Sequence, residues 1–260
     1  MKNILDEIVA TKKVEVEQLK TRYSIEDFEK STFFSLPCKS MKSSILEQEK
    51  FGIIAELKRK SPSKGWINKD LDLKATAIEY QSAGAAGISI LTDEVYFGGN
   101  SKYISDVKSV TTLPCLRKDF IVDEFQLFEA KAIGADIILL IAACLNINNC
   151  NTLCKQAKKL GLEVLLEIHN EKELDYINTN VDIVGVNNRN LKTFKTSIEN
   201  SIDLANKIPA DFVKISESGI DSIEKTKRLV ACGYKGFLIG EHFMKTANIA
   251  TAFKKLHNEN

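Results

Sequence analysis

Ala55-Glu56-Leu57-Lys58-Arg59-Lys60-Ser61-Pro62-Ser63-Lys64-Gly65 and Leu116-Arg117-Lys118-Asp119-Phe120 are the two runs whose reading decides the fold. Each enters as an apolar, strand-like segment and leaves through charged side chains. The two-residue period of a strand puts Glu56 and Lys58 on one face. A strand covered on both sides should not carry them, because an unpaired charge in a sheet interior is costly enough to be neutralised or paired. Ionised groups at such places usually serve chemistry.

Working outward from these runs, short β-branched segments alternate with helical ones from residue 52 onward. The strand candidates are Ile53 to Lys58, Ile88 to Leu91, Cys115 to Lys118, Asp136 to Ile141, Glu163 to Glu167, Ile183 to Asn187, Val213 to Ser216 and Gly236 to Ile239. Helical stretches lie between them, at Ala75 to Ala83, Glu124 to Ala132, Asn151 to Leu160 and Ser222 to Ala231. Gly84, Gly134, Gly161 and Gly233 stand where a left-handed residue ends such helices. Eight strand and helix units at this length predict one α/β domain over residues 1–260, a (β/α)8 TIM barrel. The competing doubly wound sheet lacks its glycine fingerprint in the dinucleotide-binding form. Ahead of the barrel (51–260), residues 1–50 read as a helical extension. Its first helix spans residues 3 to 21, and a second is opened by Ser24 as N-cap. A cap or cover over the substrate is its expected role.

Lys and Arg number 36 against 35 Asp and Glu, a net charge of +1, so no basic field points to nucleic acid or an anionic membrane. The acids Asp6 and Glu7 interrupt the first apolar residues, so no secretory leader is expected, and the longest apolar run, Ile137 through Leu145, is far too short to span a bilayer. A cytosolic enzyme acting on a small molecule is expected, as a monomer, with oligomers left open. Cys38, Cys115, Cys144, Cys150, Cys154 and Cys232 have no metal-ligand spacing and read as reduced, small apolar residues. Three histidines without a ligand-spaced cluster argue against a catalytic metal.

In a barrel the C-terminal strand ends converge on one site. Glu56 and Lys58 end strand 1, Lys118 ends strand 3 and Glu167 ends strand 5. Asn187 and Arg189 end strand 6, Glu217-Ser218-Gly219 end strand 7, and Gly240 ends strand 8. Ser218 and Gly219, before a helix expected near Asp221, and Gly240 can wrap a phosphate with backbone N–H groups. Glu241, beside that pocket, should turn its carboxylate away. Lys118 reads as a general acid if neighbouring cations and burial lower its pKa toward neutrality, and a partly desolvated Glu167 as a base. Glu56 and Lys58 could equally be a structural ion pair, with each other or with Arg189, whose planar fork suits a carboxylate. His169 is set aside as a base, since the chain there should have left the barrel axis.

Taken together, these segments resemble the indole-3-glycerol phosphate synthase family. The likeness runs from Ile4-Leu5-Asp6-Glu7-Ile8-Val9 through the two opening runs and Leu91-Thr92-Asp93-Glu94 with Phe97-Gly98-Gly99. It continues through Glu167-Ile168-His169, Val186-Asn187-Asn188-Arg189-Asn190-Leu191, Ser216-Glu217-Ser218-Gly219-Ile220 and Leu238-Ile239-Gly240. The resemblance implies ring closure of 1-(2-carboxyphenylamino)-1-deoxyribulose 5-phosphate, a step of tryptophan biosynthesis that releases carbon dioxide and water without cofactor or metal. It makes Lys118 the acid that protonates the ketone oxygen and Glu167 the base of the later dehydration, with Lys58 and Glu56 in support. Ser61 would lie near the substrate carboxylate, Phe120 against the aromatic ring, and Asn187, Arg189 and Glu217 among the substrate-binding groups. Ser218, Gly219 and Gly240 would hold the phosphate, and the Arg59 to Gly65 loop would close over it. Asn190, Asn100 and Glu241 depart from common family residues at peripheral places, and the isomerase domain fused to some members is not expected. The alternatives are another phosphate-binding barrel enzyme of the same pathway and a non-catalytic phosphosugar-binding barrel.

Overall fold

All eight expected runs form strands, and each shifts by no more than a residue at either end. In the computed structural model, which describes residues 4–62, 64–190, 193–246 and 248–257, they are β1 Gly52–Leu57, β2 Gly87–Leu91, β3 Cys115–Lys118 and β4 Ile137–Ile141, followed by β5 Glu163–Ile168, β6 Ile183–Asn187, β7 Val213–Glu217 and β8 Gly236–Ile239. Met1 to Asn3, Ser63 and Leu191, which the sequence reading includes, lie outside the described residues. Every pairing is parallel, and β8 returns to β1 to close the sheet into a TIM barrel. Because the ladders are in parallel register, residues distant in sequence end side by side at the same rim. Leu91 pairs with Lys118, Ile141 with Glu167 and Asn187 with Glu217.

The strands are apolar on both faces because both are covered. Outside, they pack against the helices that connect them. The four expected glycines after those helices adopt left-handed φ values of 87°, 91°, 75° and 86°, a conformation that costs glycine nothing. Inside, Ile54, Leu116, Leu139, Leu165, Ile215 and Leu238 fill the barrel.

The N-terminal extension closes both ends of that interior. At the bottom, the helix Met41–Leu46 drives Met41 and Ile45 into the barrel. A Cβ on Gly87 would sit 2.2 Å from the Met41 sulfur, and one on Gly52 would sit 2.9 Å from the Ile45 backbone, so these strands must begin with glycine. Burying each such side chain contributes ~1.5–3 kcal/mol. Glu163, at the start of β5, anchors this plug by accepting from the Met41 and Lys42 N–H groups at 2.8 and 3.0 Å. At the top, the helix α1 Ile4–Arg22 lays Ile4, Leu5 and Ile8 over the barrel mouth. Ser24 caps the next helix as expected, in a reciprocal box with Asp27.

One local expectation is corrected. The segment after β1 is not only a loop but a small antiparallel hairpin, Lys60–Ser61 with Gly65–Trp66. The helix after β7 is where it was expected, spanning Ile223–Ala231 with Ser222 as its cap. All six cysteines are free. No described helix is long and apolar enough to cross a membrane.

Candidate active site

At the C-terminal rim of the barrel a cavity of ≈620 Å³ opens between the strand ends and α1. Glu56, Lys58, Lys118, Phe120, Glu167, Asn187, Arg189, Glu217, Ser218, Gly219 and Gly240 all line it. Ser61 does not, for it is buried in the hairpin, and Pro62 and Lys64 reach the cavity instead.

Lys118 is the centre of the polar half. Its Nζ donates to Glu217 Oε2 at 2.6 Å and to Glu167 Oε2 at 3.3 Å. Glu167 Oε1 accepts from Asn187 Nδ2 at 3.1 Å, and the Arg189 N–H donates to Asn187 Oδ1 at 3.0 Å, which fixes the amide's orientation. Lys58 donates to Glu56 Oε1, so the reading in which these two pair with each other is the one observed.

Two of these carboxylates, Glu56 and Glu217, have room only because glycines face them. A Cβ on Gly240 would stand 2.4 Å from Glu56 Oε1, and one on Gly185 would stand 2.4 Å from Glu217 Oε1. Gly185 is a functional position the sequence reading missed, and its interruption of the apolar β6 run was the available signal.

The expected lowering of the Lys118 pKa is overturned. Burial does push it down, but Glu217, Glu167 and Glu56 together outweigh burial and hold the ammonium protonated. The sequence reading counted the neighbouring cations and not the three carboxylates that the barrel brings against the lysine. Glu167 is buried, which opposes its charge, yet Lys118, His169 and Asn187 hold its pKa well below the usual carboxylate range. Glu56 is likewise lowered against its burial, by Lys58 and Lys118. Glu217 is the exception. Burial, with Glu167 and Glu56 nearby, pushes it up to about 7 despite the bond to Lys118.

The apolar half is formed by Leu5, Ile8, Leu91, Leu139, Ile141, Phe97 and Phe120. The Phe97 and Phe120 rings lie 6.0 Å apart, centroid to centroid, and make an aromatic wall facing the charged centre. Phe97 was legible only as part of a motif.

At the opposite edge, Ser218 and Gly219 turn with left-handed φ values of 69° and 75°. For a serine that conformation costs about 1–3 kcal/mol and persists where the surroundings hold it, as functional loops do. Here Asn188 Nδ2 donates to the Ser218 carbonyl at 3.0 Å, and Lys225 Nζ to the Gly219 carbonyl at 2.9 Å. Glu241 does not turn away. Its carboxylate lines the cavity, accepts from Lys64 and, at 2.6 Å, from Lys245, and stands 3.8 Å from an Arg189 nitrogen. Those lysines hold its pKa down at about 2.

His169 also departs from expectation. β5 continues through Ile168, so the next residue stays at the rim, with its Nε2 3.2 Å from Glu167 Oε1.

The family profile described as indole-3-glycerol phosphate synthase matches residues 5–256. Among similar proteins, the indole-3-glycerol phosphate synthase of Bacteroides thetaiotaomicron is 50% identical over 246 residues, covering 95% of this chain and 94% of that one. The enzyme of that name from Prochlorococcus marinus is 45% identical over 263 residues, covering 98% and 89%. That from Endomicrobium trichonymphae is 40% identical over 256 residues, covering 97% and 99%. Among solved structures, 3-hexulose-6-phosphate synthase from Salmonella typhimurium has a TM-score of 0.64 at 14% identity, covering 80% of this chain and 97% of that one. KGPDC from Streptococcus mutans has a TM-score of 0.62 at 12% identity, covering 79% and 95%. Likeness at those identities is likeness of fold, whereas the family match and the relatives span nearly the whole length, and the chain belongs to the indole-3-glycerol phosphate synthase family.

Proposed function

We propose that this protein converts 1-(2-carboxyphenylamino)-1-deoxyribulose 5-phosphate into indole-3-glycerol phosphate, carbon dioxide and water, as a carboxy-lyase of tryptophan biosynthesis in the cytoplasm. The observation that carries the reading is the placement of Lys118. It is a largely buried ammonium between two carboxylates, facing an aromatic wall on one side and a tight backbone turn at Ser218-Gly219 on the other. That sequence of surfaces suits an aryl carboxylate, a ketone and a phosphate in one extended molecule.

The aryl carbon that bears the carboxylate attacks the ketone carbon, and the carbonyl π pair moves onto oxygen. The Lys118 ammonium neutralises that oxygen and gives it a proton. A tightly held ammonium is a weak acid toward the ground-state ketone but an effective donor to the far more basic alkoxide, so its help is concentrated in the transition state. Loss of carbon dioxide returns its bonding pair to the ring and restores aromaticity. The new hydroxyl then leaves as water with a proton from a nearby acid, and Glu167 removes a proton from the intermediate to complete the indole. Once Lys118 has given up its proton, Glu167 faces one cation fewer and becomes a better base at the step that requires one. Lys58 and Glu56 support the reacting centre, Asn187 and Arg189 orient the substrate, and Phe120 packs on the aryl ring. Ser218, Gly219 and Gly240 receive the phosphate.

The test is direct incubation with the carboxyphenylamino ribulose phosphate, following indole fluorescence, with Lys118→Ala alongside. Turnover by the wild type and a loss of ~10²–10⁴-fold in the variant, with binding of inorganic phosphate retained, is expected. Phosphate binding without turnover by the wild type would favour a non-catalytic phosphosugar-binding barrel, and turnover of another pathway substrate in its place would reassign the enzyme.

A further inference from the structure

His169 occupies a position that the reaction just described does not use. It follows directly on β5, its side chain is 11% exposed, and each ring nitrogen faces a carboxylate. Nε2 is 3.2 Å from Glu167 Oε1, outside hydrogen-bond alignment, so the contact is one of charge. Nδ1 is 3.3 Å from Glu173 Oε2. Glu173 is itself held in place. Its Oε2 accepts from the His169 backbone N–H at 2.6 Å, and its Oε1 accepts from Asn170 Nδ2 at 2.6 Å.

An imidazole between two carboxylates is attracted by both only when both nitrogens carry protons, since the neutral ring would turn a lone pair toward one of them. We propose that His169 is a positioning residue for the reaction: as an imidazolium wedged between Glu167 and Glu173, it pins the Glu167 carboxylate beside Lys118. The proposal rests on the function given above, because Glu167 is there the base.

The groups around the ring agree with that charge. Glu167 faces it from its own strand and Glu173 from the following turn Glu171–Tyr176, with Lys118 of β3 on the far side of Glu167. Cys144, in the turn after β4, is a neutral thiol pushed up to about 12 by burial and by Glu167, Glu173 and Asp6 of α1. Burial works against the imidazolium, but the two carboxylates prevail and push His169 up to about 10. Glu167 is thereby held from three directions, by Asn187 and His169 on Oε1 and by Lys118 on Oε2. If Lys118 parts with its proton during ring closure, His169 and Asn187 still hold the base in place.

The experiment has two arms. Nitrogen NMR of uniformly labelled wild type at about pH 8, well above the ordinary histidine value, should show one of the three rings with both nitrogens protonated. That signal should vanish in His169→Asn. In the kinetic arm, His169→Asn should lower kcat with KM within about twofold. Glu173→Gln should lower kcat in the same way by less. A neutral His169 ring at about pH 8, or an unchanged kcat in folded variants, overturns the proposal. If His169→Asn fails to fold, Glu173→Gln and the wild-type spectrum decide. Absence of turnover in the wild type would indict the assigned reaction, whereas normal turnover in both variants would indict His169.

Discussion

Replacing Lys12 with Met removes a cation from the edge of the barrel mouth while keeping most of the side chain's apolar stem. Lys12 Nζ lies 3.0 Å from Asp93 Oδ2, 3.1 Å from Asp119 Oδ1 and 2.6 Å from Glu15 Oε2, and the side chains of Lys12, Asp93 and Asp119 are only 6%, 0% and 3% exposed. Glu15 is a third exposed and contributes little. Asp119 keeps Thr92 Oγ1 at 2.6 Å and Arg117 at 3.2 Å. Asp93 Oδ2 has no hydrogen-bond partner, so it loses its counter-charge outright. Breaking a buried pair from one side costs about 3–5 kcal/mol. In a chain of this size each kcal/mol moves Tm by ~2–4 °C, which gives a fall of roughly 6–20 °C. The pH dependence has a definite sign. Burial opposes the Asp119 charge, but Lys12 and Arg117 lower its folded pKa below the unfolded value, so its stabilisation is present above about pH 4 and fades as pH falls. Lys12 is raised by Asp119 and Asp93 against its burial, so its share is lost only at high pH. Calorimetry of both proteins should show a gap that is widest near neutral pH and narrows toward about pH 3. A Tm within about 2 °C of wild type at neutral pH, or a gap independent of pH, would refute the reasoning.

Gly240→Ala would place a Cβ 2.4 Å from Glu56 Oε1 and 3.0 Å from Glu56 Cβ. Displacing that pair by about an ångström should lower kcat/KM by ~10²-fold, and retained turnover in a steady-state assay would count against the Glu56–Lys58 pair. Glu217→Gln removes a buried carboxyl whose folded pKa, at about 7, lies above its unfolded value. The wild type therefore loses stability as pH rises through that value, so the variant should melt above it at about pH 8, match it at about pH 4, and turn over more slowly. Glu241→Ser frees Lys64, Lys245 and Arg189 at the phosphate edge. KM should fall a few-fold and become more salt-dependent, with little change in Tm, and a KM that is unmoved at low salt would exclude those cations from substrate binding.

The barrel was legible because its signals are local. Short β-branched apolar runs, glycines at helix ends and charges at strand exits each occupy a few adjacent residues. Lys118, Glu167, Glu56 and Lys58 were found because ionised groups at the ends of covered strands stand out against that pattern. What stayed hidden depends on closure. Lys12 reads as one lysine among several on an amphipathic helix, and only docking α1 on the rim brings it to Asp93 and Asp119, 81 and 107 residues away. The direction of the Lys118 shift was missed for the same reason. Glu217 belongs to β7, and its contact with β3 spans the barrel rather than a ladder. His169 turned on a single residue, since β5 runs one position longer than its sequence suggests and keeps the imidazole at the rim.

The charges at that rim bear on why an acid should be surrounded by carboxylates at all. A lone ammonium in an apolar cavity would be attracted to the aryl carboxylate, the group of the proposed substrate that must depart uncharged as carbon dioxide, and would stabilise it in place. Lys118 instead has two of its three N–H donors committed, at 2.6 Å to Glu217 and 3.3 Å to Glu167. One donor remains for the ketone oxygen. The neighbouring acids also repel the aryl carboxylate from the lysine, so the arrangement favours the developing alkoxide over the ground-state anion. On this view the high proton affinity of Lys118 aids catalysis. It confines proton transfer to the moment when an alkoxide forms, and the cations Lys58 and His169 hold Glu56 and Glu167 in position while it does.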